Sequence, residues 1–132
     1  MAGSWNEGPK TYPAGEALGE KRRVKTVAGA VEYADADALG DGVAWEGAQA
    51  AGDDVAVHWL NLPGTVPMCA AGAIDRDADV YAAADGKVQA LPAAPGSYIK
   101  VGKNVGYAAS GDGAIAEVLV TPDAGTVKVV SG

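Results

Sequence analysis

The stretch Asp79-Val-Tyr-Ala-Ala-Ala-Asp-Gly-Lys-Val88 decides the fold. An apolar, β-prone run ends in Asp85-Gly86, and a second strand-like run, residues 87–91, follows at once. A type I′ turn needs positive φ at both central residues, which Asp and Gly tolerate, so the segment predicts a tight hairpin. Outward from it, short apolar runs alternate with turn residues. Upstream, residues 24–33 read as one strand bent at Gly29, residues 35–42 as a polar connection, and residues 43–46 and 55–60 as strands. Leu62-Pro-Gly-Thr65 turns the chain into a strand at 66–70. Downstream, residues 93–97 read as a loop, residues 105–109 and 114–120 as a hairpin about Ser110-Gly-Asp-Gly113, and residues 126–130 as a last strand. About eight short strands at spacings of roughly ten residues predict an all-β fold, a small β-barrel or sandwich. No long 3.6-residue period and no internal repeat is legible.

The core of such a fold has to be thin. The 132 residues include 28 Ala, 19 Gly and 16 Val, but only 6 Leu, 3 Ile and no Phe. Small residues bury little apolar area each, so stability is expected to lean on oligomerisation or on a partner. Residues 1–23 read as an extended N-terminal arm, and residues 24–132 as the β-rich domain. Gly3, Gly8, Pro9, Pro13, Gly15 and Gly19 interrupt any regular element in the arm. Trp5 and Tyr12 are large aromatics in a segment with no core of its own, so the arm reads either as a disordered terminus or as a segment that orders on a neighbouring subunit. Residues 1–25 carry a net charge of +2 and residues 26–132 a net charge of −9. An acidic body repels nucleic acid and anionic membranes, so the expected partner is a protein.

Few residues carry chemistry. Cys69 is the only cysteine, which rules out an intrachain disulfide and a Cys-based zinc site. The first residues lack the basic-then-apolar pattern of a secretory signal, and a reducing, cytosolic origin is expected. The uncharged run at 55–74 is broken as a membrane helix by Pro63, Gly64 and Pro67. His58, the single histidine, sits in the strand pattern Val-Ala-Val-His-Trp-Leu and reads as structural. No serine lies in a Gly-x-Ser-x-Gly elbow. Asp75, Asp77 and Asp79 begin like a calcium loop, but Val80 and Gly86 stand where that loop needs Gly and Glu. They read as a solvated turn, with an adventitious calcium site as the alternative, and Asp35, Asp37 and Asp41 carry the same two readings. Gly40-Asp-Gly42 and Gly111-Asp-Gly113 read as turns rather than phosphate loops. Lys21, Arg22, Arg23 and Lys25 form a basic cluster at the arm–body junction, read either as a solvated junction or, preferably, as a dock for acidic protein surface, because Arg pairs bidentately with carboxylates.

Residues from about 34 to 120 resemble the capsid decoration (cement) proteins of tailed bacteriophages. The matching pieces keep the family's order: Ala48-Gln-Ala-Ala-Gly-Asp-Asp-Val-Ala-Val57, then Pro67 to Gly72 ending in Ala-Ala-Gly, then the hairpin at 79–88, then Val105-Gly-Tyr-Ala108 and Glu117-Val-Leu-Val120. Ala78 departs from the family's usual Gly, and the arm has no match. The resemblance implies a non-enzymatic virion protein without cofactors, sited on the outer capsid surface as a homotrimer and clamping neighbouring major capsid protein subunits. Trp5, Tyr12, Lys21, Arg22, Arg23 and Lys25 are the expected contacts to the capsid or a neighbouring subunit, with Arg22 and Arg23 on capsid carboxylates.

Two other readings compete. A biotinyl or lipoyl carrier would present a lysine at a hairpin tip, and Asp85-Gly-Lys-Val88 has that rhythm. Lys87 follows Gly86 rather than a hydrophobic residue, so the match is poor. A small hydrolase would have to rely on His58.

Overall fold

The computed structural model describes residues 10–61 and 64–131. Its eleven described strands are β1 (Lys10–Pro13), β2 (Arg22–Val27), β3 (Ala30–Tyr33), β4 (Gly42–Ala44), β5 (Asp54–Trp59), β6 (Thr65–Cys69), β7 (Asp79–Ala82), β8 (Val88–Gln89), β9 (Gly96–Asn104), β10 (Ile115–Val120) and β11 (Val127–Val130). They form two antiparallel sheets, in the orders β1-β5-β4-β2-β3 and β6-β10-β9-β7-β8, with β11 added to β9. Each sheet curls until its outer strands meet at one parallel bridge, Ala14 with Val31 and Ala70 with Val88. The result is the expected all-β, sandwich-like body.

The deciding hairpin has the predicted turn. Asp85 and Gly86 have φ of 57° and 72°, and the Lys87 N–H donates to Ala84 O at 3.2 Å, closing a type I′ turn between β7 and β8. Other elements differ from expectation. Residues 24–33 are two strands joined by Ala28-Gly29, both at positive φ (50° and 85°), not one bent strand. The strand expected at 105–109 lies one segment earlier, in β9, which takes in the last two residues of the expected 93–97 loop and runs on to Asn104. From Lys10 onward the expected arm belongs to the body: β1 pairs with β5, Tyr12 opposite Val55, and Ala14 and Leu18 are buried. Pro13 is tolerated because it ends an outer strand, where its missing N–H breaks no ladder.

The two sheets are one design used twice. Mapping β1–β5 onto β6–β10 reproduces the strand order and the register. Tyr12 faces Val55 as Met68 faces Ala116, Val24 faces Gly42 as Val80 faces Gly102, and Thr26 faces Val31 as Ala82 faces Val88. The bridge Leu18–Ala48 recurs as Ile74–Ala109. Lys21 and Asp77 both sit at positive φ, and the turn Ala28-Gly29 recurs as Asp85-Gly86. Gly42 and Gly102 answer the same constraint: a Cβ on the first would lie 2.6 Å from His58 O, and one on the second would run into Leu119 O, the equivalent carbonyl. An internal repeat that the sequence did not disclose therefore spans residues 10–59 and 66–120.

Each repeat has its own core. Val24, Val31, Val55 and Val57 fill the first, and Met68, Ile74, Val80, Val88, Val101 and Val118 the second. Alternation along β4 splits its loyalties: Ala44 packs in the first core, while Val43 packs in the second together with Leu60. A bulge at Val80/Tyr81 opposite β9 leaves Val101 as the extra residue and turns it inward. The β7–β8 turn packs on β2, where a Cβ at Gly86 would sit 2.5 Å from Arg23 O.

Candidate binding surfaces

The basic cluster at the expected junction is divided between separate tasks. Arg23 has no exposed surface. Its guanidinium donates to Ala38 O (2.6 Å), Leu39 O (3.0 Å), Asp35 O (3.4 Å), Ala83 O (2.8 Å) and Lys87 O (2.9 and 3.1 Å). These carbonyls come from the β3–β4 connection of the first repeat and the β7–β8 turn of the second, so Arg23 fastens the repeats together. Burial lowers its pKa to about 10 against the raising field of Asp35, which leaves it charged at neutral pH. Arg23 is thus unavailable to a partner's carboxylate, contrary to expectation: its fork is saturated by backbone acceptors.

Arg22 is also engaged. It donates to Asp85 O at 3.0 Å and to the Tyr33 hydroxyl at 3.4 Å, with its guanidinium 5.6 Å from the Tyr33 ring centre. Lys21 donates to Trp45 O at 2.7 Å and lies 4.2 Å from the Trp45 ring, which stacks on His58 at 4.1 Å. Burial first, and then the Lys21 charge, pushes the His58 pKa below its usual 6.5. Lys25 is exposed on β2 opposite Glu32. Trp5 lies outside the described residues. Among the described residues, Tyr12, Lys21, Arg22, Arg23 and Lys25 are therefore not brought together as one patch.

Tyr12 instead helps to form an open cleft of about 700 Å³ at the mouth of the first repeat. Tyr12 and Trp59 meet edge to face, 5.6 Å apart at 85°, with Leu39 and Leu60 beside them. Asp41 is fixed at the rim, its Oδ2 accepting from the Thr26 N–H (2.9 Å) and hydroxyl (3.1 Å). Asn61 completes the wall. In sequence Asp41 reads as a turn residue and the cleft is not legible, because its walls come from four separated segments.

The remaining polar clusters serve loops. Among the described residues no group of three His, Cys, Asp or Glu is placed to hold a metal ion. Asp79 pairs with Lys100 at 3.4 Å, and Lys100 also meets Asp123 at 3.3 Å. Burial opposes the Lys100 charge, yet hydrogen bonds to Asp123 and Asp79 hold its pKa above the usual value. Lys87 occupies the last position of the turn rather than its tip, and its Nζ lies 2.6 Å from Asp112.

One surface has no counterpart in the first repeat. β9 begins well before the Gly42-equivalent Gly102, and this early half pairs with β11, Ile99 opposite Val127 and Ser97 opposite Val129. Val127 and Val129 are 57% and 64% exposed on the side of Ile99. Among the described residues β11 pairs only with β9, so its other edge is open.

The class that fold and surfaces define is an all-β protein of two repeated, curled antiparallel sheets with an added apolar ribbon. No protein-family model matches the chain, and no curated protein is significantly similar to it.

Proposed function

We propose that this is a non-enzymatic structural virion protein that binds the outer surface of a bacteriophage head and stabilises contacts between major capsid protein subunits, acting there as a homotrimer. The observation that carries the reading is the β9–β11 ribbon. An open strand edge flanked by two largely exposed valines is a surface that natural sheets avoid unless something covers it. A capsid subunit or a neighbouring copy adding a strand along β11 would satisfy its free backbone groups and bury Val127 and Val129. The resemblance of residues 34–120 to decoration proteins supplies the partner class. The thin cores, built mainly from Val and Ala, fit a protein that gains stability on its lattice.

The test is co-sedimentation of the purified protein with undecorated, expanded heads of the source phage. Saturable binding at a fixed ratio to the major capsid protein is expected, weakened by Val129→Asp, which leaves the repeats intact. Failure of the folded wild-type protein to bind would overturn the reading.

A further inference from the structure

The internal repeat provides a control for asking which features the fold requires and which it does not. Three positions around the mouth of each repeat are equivalent by register, and a fourth by its place just before the equivalent glycine. In the second repeat they are Met68, Ala82, Val101 and Val120, an apolar set of which the first three are fully buried. In the first they are Tyr12, Thr26, Asp41 and Trp59. Met68 and Tyr12 face equivalent β10 and β5 residues, Ala82 and Thr26 face Val88 and Val31, and Val120 and Trp59 face Gly102 and Gly42. Val101 and Asp41 each immediately precede that glycine. The same backbone is thus closed by aliphatic side chains in one half and opened into an aromatic cleft with a carboxylate in the other. Closure by small apolar residues is available to this fold, so the open, charged version is not imposed by its geometry.

We propose that this cleft binds a cationic side chain, arginine or lysine, presented by the protein partner. The inference rests on the reading of the molecule as a binder of another protein. Three observations select a cation. Tyr12 and Trp59 both line the cleft, and aromatic faces carry negative electrostatic potential. Both Thr26 donors converge on Asp41 Oδ2, so the carboxylate is oriented while Oδ1 takes no hydrogen bond among the described residues. No basic side chain pairs with Asp41 among the described residues. Lys25, beside Thr26 on β2, points to the opposite face by strand alternation. The chain's net charge of −7 adds a long-range pull of the same sign. A planar guanidinium suits the site best, stacking on one ring while donating to Asp41 Oδ1.

The experiment is an NMR titration of the full chain with acetyl-Gly-Arg-Gly-amide, following the Trp59 indole N–H and the Thr26 amide. Its neutral isostere, with citrulline replacing arginine, is the control. Saturable shifts are expected at both reporters with the arginine peptide, and at least about fivefold weaker binding with citrulline, with Asp41→Asn or with high salt. The double variant Asp41→Val, Trp59→Val, which copies the second repeat, should fold and lose the response. Equal binding of the citrulline peptide would overturn the proposal, as would no shift at all. A response to chitobiose in place of the arginine peptide would overturn it too and mark the cleft as a saccharide site. Because the titration contains no capsid, it separates from the sedimentation assay: heads that bind alongside a silent cleft defeat only this inference, and a responsive cleft with no head binding defeats only the capsid reading.

Discussion

Replacing Arg23 with Met should cost this protein about 3–5 kcal/mol, a large part of the roughly 5–15 kcal/mol that stabilises a domain of this size. The figure follows from counting what is left behind. Asp35 O and Lys87 O each accept a second hydrogen bond, from Ala38 N and Ala83 N, so they are not orphaned. Ala38 O, Leu39 O and Ala83 O have only Arg23 as a donor among the described residues. Each unsatisfied carbonyl costs about 1 kcal/mol or more, and methionine can refill the volume but none of the donors. Arg23→Lys keeps the charge but not the planar fork, and one ammonium cannot serve acceptors in both repeats. It should recover less than half of the loss. Urea unfolding followed by fluorescence measures both effects. Because Arg23 joins the repeats, the Met variant should also unfold less cooperatively, with a smaller m value or two transitions. A loss below about 1 kcal/mol, or a lysine variant as stable as wild type, would refute the account of Arg23 as the fastener between repeats.

Other consequences follow from the same geometry. Ala28 holds a φ of 50° in the β2–β3 turn, so Ala28→Asn, better suited to that region, should stabilise by about 0.5–1 kcal/mol, read as a rise in Tm. Gly102→Ala and Gly42→Ala should both destabilise strongly, by about 3 kcal/mol or more, since each Cβ meets a partner-strand carbonyl; urea midpoints near wild type for either would contradict the strand pairing. The His58 pKa lies below 6.5 in the folded protein, so the unfolded chain binds more protons below that pH. The His58 contribution is therefore present above pH 6.5 and is lost as pH falls through the lowered value. NMR titration of the imidazole should show a midpoint below 6.5 that moves upward in Lys21→Gln. Asp123, held by Thr121 and Lys100, should titrate below 3.8, and Thr121→Val should raise its midpoint.

What could be read in the sequence was what a local turn dictates. Asp85-Gly86 announces a type I′ turn by residue type, and the hairpin is there. Ala28-Gly29 makes the same turn without the Asp or Asn that advertises it, and its hairpin was read as one strand. Gly102 looks like punctuation, yet it lies inside β9 because the Leu119 carbonyl approaches too closely for any side chain. Residues 105–109 have the composition of a strand, but past the Val105 N–H, which still donates to Glu117 O, their backbone meets another strand only at the Ala109–Ile74 bridge. Arg23 was assigned to a partner because charge in sequence implies solvent, and only tertiary structure supplies five carbonyls to one guanidinium. Of the expected contact residues that the structure describes, Tyr12 is the one placed in a cleft. Its neighbours there, Thr26, Asp41 and Trp59, lie too far apart in sequence for any spacing rule to join them.

The repeat itself was illegible for a related reason, and that reason bears on function. Ala14 and Ala70, Val24 and Val80, Val31 and Val88, Gly42 and Gly102, Ala48 and Ala109, Gly52 and Gly113, and Val57 and Val118 occupy equivalent places. These are the commonest residue types in the chain, so their identity carries little information. The separation of equivalents also grows from 56 residues at Ala14 and Ala70 to 61 at Gly52 and Gly113, which defeats any search at a fixed period. What the halves share is what the curled sheet demands: small residues where strands crowd, and glycine where a carbonyl intrudes. What they do not share is therefore free of the fold's requirements. Two differences stand out on the surface, the cleft at Tyr12, Asp41 and Trp59 in the first repeat and the β9–β11 ribbon in the second. The repeats diverge in opposite senses, one toward an aromatic cleft with a carboxylate at its rim, the other toward an exposed apolar edge. A recess that selects a charged side chain and a strand edge that supplies apolar area do different work in an interface. The first favours specificity and rate of encounter, the second affinity. Substitutions confined to Asp41 should accordingly change the salt dependence of head binding, and substitutions confined to Val129 its strength at any salt. The same sedimentation assay, run across ionic strength, reads both, and identical salt slopes for the two variants would show that the surfaces do not divide the work in this way.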